Sequence, residues 1–482
     1  MPRGGNERQQ RQHGDKEAQL ERISFEPEAW RQHENYFSIS LFDCETYWKP
    51  FVTLPERGKS IATLLVKDIF LNASTQIHSF PNGLTLLGEP TSKQAVAWSL
   101  LVPAGSATEP EGKDGLTSVL ESVSYRGAGE RDSRQLSDAL DDLGIERGGG
   151  SDVEYTSFGG ATLGLYLPDA LKLYADIVRR PRLPEDEWEA ARDLSLQSLD
   201  SLEDSPARKM FVQMRRNWFT SGHRRASIGT REGLESLVLE DLKQDHAARF
   251  CPDGAILAVA GGFDWAATVA QVEELFGDWT GSAPQLGEVE VVAKPFFEHI
   301  EHDTEQQQIG IAYAGVPSTD ADFYAFRVAT DILSGGMGAR LFSEVREKRG
   351  LVYSVSASAA SHRGFGFTLA YAGTKLDRAQ ETLDVLLAEL QKMREGVRED
   401  ELERSKVRMT SGLIMGEESS RARAGGIARD WWMLERVRTL DEVLEQINAV
   451  TVSSILAMYE RFPPQNFSIV TLGPQKLERP TL

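Results

Sequence analysis

The sequence predicts an α+β fold in which one α/β arrangement is built twice. Three observations carry that expectation. The order strand, helix, paired strands, long helices, strand runs once from about residue 75 to 277, and again from 305 to 482. The helical stretches are amphipathic, with apolar residues three and four positions apart, whereas the strands are short apolar runs or alternate. A polar stretch punctuated by Pro and Gly, 278–304, separates the two series and reads as a domain linker. Helices with a single apolar stripe must lay it on a sheet, so each half is expected as a mixed sheet with helices on one face.

The elements follow in order. Residues 1–22 are polar, aperiodic and expected to be disordered. Residues 23–74 crowd together Trp30, Tyr36, Phe37, Phe42, Tyr47, Trp48 and Phe51, which suits a strap packed on the body. "QIHSFPNGLTLLGEP" reads as two short strands hinged at Pro81-Asn82-Gly83, and "AVAWSLLVP" as a buried strand. The first long helix opens near Asp114, a candidate N-cap, with Leu116, Val119, Leu120 and Val123 as its apolar stripe. "SRQLSDALDDLG" is a helix closed by Gly144, and "YTSFGGATLGLYLP" a strand. "PDALKLYADIVRRP" and "PEDEWEAARDLSLQSLDSLED" are helices, each with Pro near its start. "GAILAVAGGF" is a buried strand, followed by a helix that Asp264 is placed to cap.

The second series begins with the strand "QQQIGIAYAGVP" and the helix "DADFYAFRVATDILS". Gly335-Gly336-Met337-Gly338 is a turn ahead of the helix "ARLFSEVREKRG". Two strands, two long helices and a last strand near "NFSIVTLG" complete it. His299 and His302 in "EHIEH" are expected on a solvated strand end, where a spacing of three points them apart. Trp431 and Trp432 read as packing residues.

Bulk properties narrow the function. The 482 residues carry a formal net charge of -20, so phosphate backbones and anionic membranes would be repelled and nucleic-acid binding is disfavoured. No apolar run approaches the about 18–20 residues that span a bilayer, so no membrane insertion is expected. Two cysteines, Cys44 and Cys251, lack metal-site or disulfide-framework spacing. The first 22 residues hold no apolar signal core and mix acids with bases, unlike a transit peptide, so the expected location is cytoplasmic.

The chemistry concentrates in "GLTSVLESVSYRG". Ser118, Glu121 and Ser122 fall at helical spacings of three and four, which bring them onto one face. Two histidines at the outer positions and a central Glu would form the inverted zinc motif His-x-x-Glu-His. Here both outer residues are serine, and a neutral hydroxyl is a poor zinc ligand. No metal is therefore expected in this chain, and no residue of it is expected to be catalytic.

This stretch resembles the metal-binding helix of the pitrilysin/insulinase family of zinc peptidases. The resemblance extends over about residues 76–475. In that family a third ligand, a glutamate, lies in a stretch similar to "EWEAARDLSLQSL", and its position falls at Ser198, or at Gln197 with a slip of one. The most specific match is "ILSGGMGARLFSEVREKRGLVYSVSA". There the family carries an Arg and a Tyr seven residues apart that contact substrate, and the matching residues are Arg346 and Tyr353. A guanidinium can donate a forked pair of hydrogen bonds to carbonyls or a carboxylate, and a phenol can donate to a developing oxyanion. A surface ion pair and a half-buried strand tyrosine are the plainer roles for the same residues.

The resemblance implies two duplicated α/β-sandwich domains with mixed, mainly antiparallel sheets. It also implies a place among the two-subunit enzymes of the processing-peptidase type, in which one subunit holds zinc and the other supplies the Arg/Tyr pair. The chain is then expected to be the non-catalytic, substrate-binding subunit: inactive alone, paired with a homologous zinc-containing subunit, and receiving an extended peptide. The alternative is a scaffold subunit similar to the core proteins of the cytochrome bc1 complex.

Overall fold

The computed structural model describes residues 75–480. The expected disordered stretch 1–22 and aromatic strap 23–74 lie outside the described residues, as does Cys44. Cys251 is buried and unpaired.

The first half supplies β1 (Gln76–Ser79), β2 (Thr85–Pro90), β3 (Ala95–Val102), the two-residue ribbon β4 (Gly127–Ala128) and β5 (Arg131–Asp132), β6 (Glu146–Ser151), β7 (Thr156–Leu163) and β8 (Ile256–Gly261). Apart from the ribbon these make one sheet in the order β1-β2-β8-β3-β7-β6. The second half supplies β9 (Phe297–Glu301), β10 (Gln306–Gly315), β11 (Val352–Ser361), β12 (Gly366–Lys375) and β13 (Ser468–Gly473), in the order β11-β12-β10-β13-β9. Both sheets are antiparallel except for one pair in each, β2 with β8 and β9 with β13. Read from opposite ends, the two orders superimpose: β6 matches β11, β7 matches β12, β3 matches β10, β8 matches β13 and β2 matches β9. The duplication is therefore a property of the topology.

That correspondence corrects the reading of 278–304 as linker. Its last part, "FEHIE", is β9, the first strand of the second half, hydrogen-bonded to β13. Pairing on one side only leaves all five residues partly exposed, so the apolar signal of a buried strand is missing.

Six helices matter to the site: α1 (Leu116–Ser124), α2 (Trp188–Asp200), α3 (Pro206–Trp218), α4 (Leu239–Arg249), α5 (Phe323–Ser334) and α6 (Ser420–Leu434). Each sheet carries its own helices on one face, as expected. On β3, Val96, Trp98, Leu100 and Val102 meet Leu116, Val119, Leu120 and Val123 of α1. The opposite face of each sheet is closed by a helix from the other half, which the sequence did not announce. Ile427 and Ala428 of α6 pack on Leu87, Leu101, Ile256 and Ala258, while Ala424 meets Ala97 and Ala260. Reciprocally, Met210, Met214 and Trp218 of α3 pack on Ala312, Phe367, Val470 and Leu472 of the second sheet. Burial on both faces explains why β3 and β8 read as nearly continuous apolar runs. Gly310 of β10 makes the approach of α3 close, since a Cβ there would sit 2.2 Å from Met210 Sδ.

Candidate functional site

Helix α1 begins at Gly115, whose φ of 102° is in the left-handed region. Asp114 is not its cap, contrary to the sequence reading. Glu109, buried in the preceding loop, accepts from the backbone N–H of Gly115 at 3.0 Å and of Thr117 at 2.8 Å. Asp114 instead pairs with Arg225 at 3.1 Å. From α4, Arg249 donates to the Thr117 hydroxyl at 2.8 Å and is held by Asp245, so the start of α1 is clamped. Burial pushes the Glu109 carboxyl up to about 7, against the pull of the Thr117 and Gly115 amides and of Arg249.

Ser118, Glu121 and Ser122 share the half-buried side of α1, beside the fully buried stripe. Glu121 accepts no hydrogen bond and forms no ion pair among the described residues. Burial alone raises its carboxyl to about 7. Tyr125 and Tyr174 stand nearby, edge to face with centroids 6.4 Å apart. Helix α2 packs against α1, but Gln197 and Ser198 are exposed. Ser198 turns its hydroxyl onto its own helix, donating to Leu194 O at 2.9 Å. This donor set does not fit zinc. It offers hydroxyls and one carboxylate where thiolate, imidazole and carboxylate ligands are needed. Among the described residues, no three His, Cys, Asp or Glu side chains are grouped so as to hold a metal ion.

Arg346 and Tyr353 are brought together. Arg346 lies in a π-helical turn, Phe342–Glu347, a form frequent at functional sites. The register of β11 against β12 slips between Val352 and Ser354, so Tyr353 is the extra residue of a bulge and is 78% exposed. The guanidinium of Arg346 stands 4.8 Å from the Phe342 ring centroid and 5.6 Å from that of Tyr353. Its basic neighbours Lys348 and Arg349 both pair with Glu344, at 2.6 and 3.2 Å. Arg346 has no carboxylate partner among the described residues, so the surface ion pair considered from sequence is absent. Its donors face solvent, oriented by aromatic rings. Gly335 to Gly338 form the short turn expected before this segment, and Met337 is 75% exposed. No hydrogen bond, ion pair or ring contact links this pair to the Glu121 group among the described residues.

One cluster escaped the sequence reading. The buried carboxylate of Glu154, between β6 and β7, is met by His223 Nε2 at 3.2 Å, by His362 Nδ1 at 2.9 Å and by the Trp432 indole N–H at 2.7 Å. Two partners come from the second half, so the cluster ties the halves together. Burial would raise this carboxyl, but the hydrogen bonds from the two histidines and the indole prevail and hold it well below the usual carboxylate range. A cleft of about 730 Å³ opens beside it, lined by Ile256, Leu286, His362, Trp431 and Trp432 among others. Trp431 packs on the first sheet, as read, whereas Trp432 adds a polar role. His299 and His302 do lie apart, bonded to Thr471 Oγ1 at 3.0 Å and to Glu203 O at 3.2 Å.

Known proteins resemble the chain along most of its length. Residues 85–229 match the family model described as Insulinase (Peptidase family M16), and residues 236–409 match Peptidase M16 inactive domain. An uncharacterized zinc protease of Bacillus subtilis, YmxG, is 26% identical over 406 residues, covering 82% of this chain and 97% of that protein. An uncharacterized zinc protease of Rickettsia bellii is 24% identical over 409 residues, covering 83% and 98%. Among solved structures, a peptidase M16 inactive domain from Pseudomonas fluorescens superimposes with a TM-score of 0.77 at 22% identity, covering 84% of this chain and 99% of that one. A protease from Helicobacter pylori gives 0.76 at 19% identity, covering 83% and 100%. Among the described residues no helix is long and apolar enough to cross a membrane.

Proposed function

The chain belongs to the insulinase (M16) family of peptidases, and from that membership we propose that it is a zinc-free, substrate-binding subunit that completes the active site of a zinc-bearing relative. The observation that carries the reading is a contrast within one chain. The positions that resemble metal-ligand sites hold Ser118, Ser122 and Ser198 or Gln197, whereas Arg346 and Tyr353 are exposed, adjacent and, among the described residues, without acidic partners. The stacked guanidinium of Arg346 has its fork of N–H donors ready for peptide carbonyls or a carboxylate, with little side-chain freedom left to lose on binding. The Tyr353 hydroxyl, carried out of the strand by the bulge, is a second donor toward the same peptide. Zinc, its histidines and the general base belong to the partner in this reading.

The test is reconstitution. The purified chain is expected to hold no stoichiometric zinc by elemental analysis and to cleave no peptide. Mixed or co-expressed with a family member that carries His-x-x-Glu-His, it is expected to support cleavage. Arg346→Ala or Tyr353→Phe should then lower kcat/KM by about 10- to 100-fold, with the assembly intact by gel filtration. Full activity of the isolated chain, or variants as active as the parent, would sink the proposal. A stable complex that cleaves nothing with any such relative would favour the scaffold role.

A further inference from the structure

Helix α6 has two faces. Ala424, Ile427, Ala428 and Trp431 pack on the first sheet. Gly425, Gly426 and Arg429 turn away from that stripe, and Arg421 stands at its edge, toward β6. Two consecutive glycines inside a helix are costly, because glycine is the poorest helix former after proline. A close neighbour usually explains such a residue. Among the described residues there is none: outside the helix's own backbone, no atom lies within 4 Å of where a Cβ would sit on either glycine. The described residues make no use of the space above them.

Guanidiniums flank that space at both ends. Arg421 donates to the carbonyls of Glu146 at 2.8 Å and Arg147 at 3.4 Å on β6, the last strand of the first sheet, and stands 3.3 Å from the Glu146 carboxylate. Arg147 is exposed and has no carboxylate partner among the described residues. Two turns along, Arg429 is likewise exposed and, among the described residues, has no acidic partner; it stands beside the Tyr155 hydroxyl. Arg327 of α5 lies near it and, among the described residues, donates one long hydrogen bond, 3.4 Å to Ala359 O. Solvent reaches Arg327, yet protein crowds its flanks. Burial lowers its affinity for a proton, and the neighbouring Arg438 and Arg429 act in the same sense while Asp331 opposes them. Asp331 is already engaged by Arg408, and Arg438 by Asp430. In a protein whose formal net charge is -20, this is a local concentration of positive charge.

We propose that this face of α6 seats an acidic stretch of extended peptide, its backbone lying across Gly425 and Gly426 and its carboxylates received by Arg421 and Arg429, with Arg147 and Arg327 behind them. Eight residues of helix rise about 12 Å. Four residues of extended chain span about 13 Å, and the side chains at their ends point the same way. The peptide therefore carries Asp or Glu at positions i and i+4. The inference rests on the peptide-binding reading above and adds the class of substrate.

The experiment is fluorescence anisotropy on the full chain with labelled ten-residue peptides that differ only at i and i+4, bearing Asp, Asn or Lys. The Asp peptide is expected to bind about tenfold more tightly than the Asn peptide, and the Lys peptide more weakly than either. Arg429→Gln should remove most of that preference, weakening the Asp peptide far more than the Asn peptide. Gly425→Ala and Gly426→Ala should raise the thermal midpoint, since alanine favours the helix, and should weaken binding of every peptide. A purely structural role for the glycines would give the first effect without the second. Equal binding of the three peptides, or alanine variants that bind as the parent does, overturns the inference and leaves the subunit reading standing. Failure to bind any peptide overturns both. An acidic preference with no partner-dependent cleavage keeps the groove and removes the subunit reading.

Discussion

Glu121 lies on the half-buried side of α1, and no basic side chain pairs with it among the described residues. Its carboxyl, pushed up to about 7 by burial, keeps a proton in the folded state that the unfolded chain has released above about 4.5. The folded state binds more protons across that window, so this group lowers stability as pH rises from about 4.5 to about 7, and the cost stays constant above it. Glu121→Gln is therefore expected to stabilise the protein at pH 8 by on the order of 1–2 kcal/mol, discounted for its contact with solvent, and to change little at pH 4. Urea denaturation of both proteins at the two pH values decides this. The difference between them is the readout, because Glu109 titrates in the same window. The fate of such residues differs in how visible it is from sequence. The proximity of Arg346 and Tyr353 was legible because seven residues span one helix-to-strand corner, and the corner is local. Glu109 as the cap of α1 was hidden because the loop from Glu109 to Gly115 folds back on itself. Glu154 was hidden because its partners lie 69, 208 and 278 positions away, where no periodicity reaches.

The elements were legible where each buries a stripe, and less so where it borders two environments. Strands β3, β8 and β10 and helix α1 follow from apolar runs and spacings of three and four. Strand β9 was absorbed into a linker, because a strand bonded on one side keeps polar residues. The crossing of α3 and α6 to the opposite half could not be read, since a helix stripe says that it is buried but not against which sheet. Small residues mark the contact in hindsight: Ala97 and Ala260 under Ala424 of α6, and Gly310 under Met210. Gly310→Val must drive Met210 from its seat on β10. The expected loss is about 1–3 kcal/mol of stability, seen as a lower urea midpoint. An unchanged midpoint would mean that α3 does not lie against β10.

For the whole molecule, the halves are joined by the exchanged helices, by ion pairs such as Arg423 with Glu89, and by the Glu154 cluster. The depressed carboxyl of Glu154 gives stability that is fully present above the unfolded value of about 4.5 and drains away as pH falls toward the folded value. Glu154→Gln is expected to cost about 1–3 kcal/mol at pH 7, with the gap to the parent narrowing at pH 3.5 in the same denaturation assay. A gap independent of pH would show that the charge of Glu154 contributes nothing. The reciprocal helices also set a schedule for biosynthesis. The first sheet is complete once β8 ends at Gly261, but the helix that covers its outer face starts only at Ser420. At a typical elongation rate, the ribosome needs roughly 10–30 s to make the chain between them. For that interval Leu87, Leu101, Ile256 and Ala258 form a naked apolar plane on the nascent chain. The molecule is thus open to chaperones, and to mispairing with a neighbouring copy, for as long as it takes to write the second half.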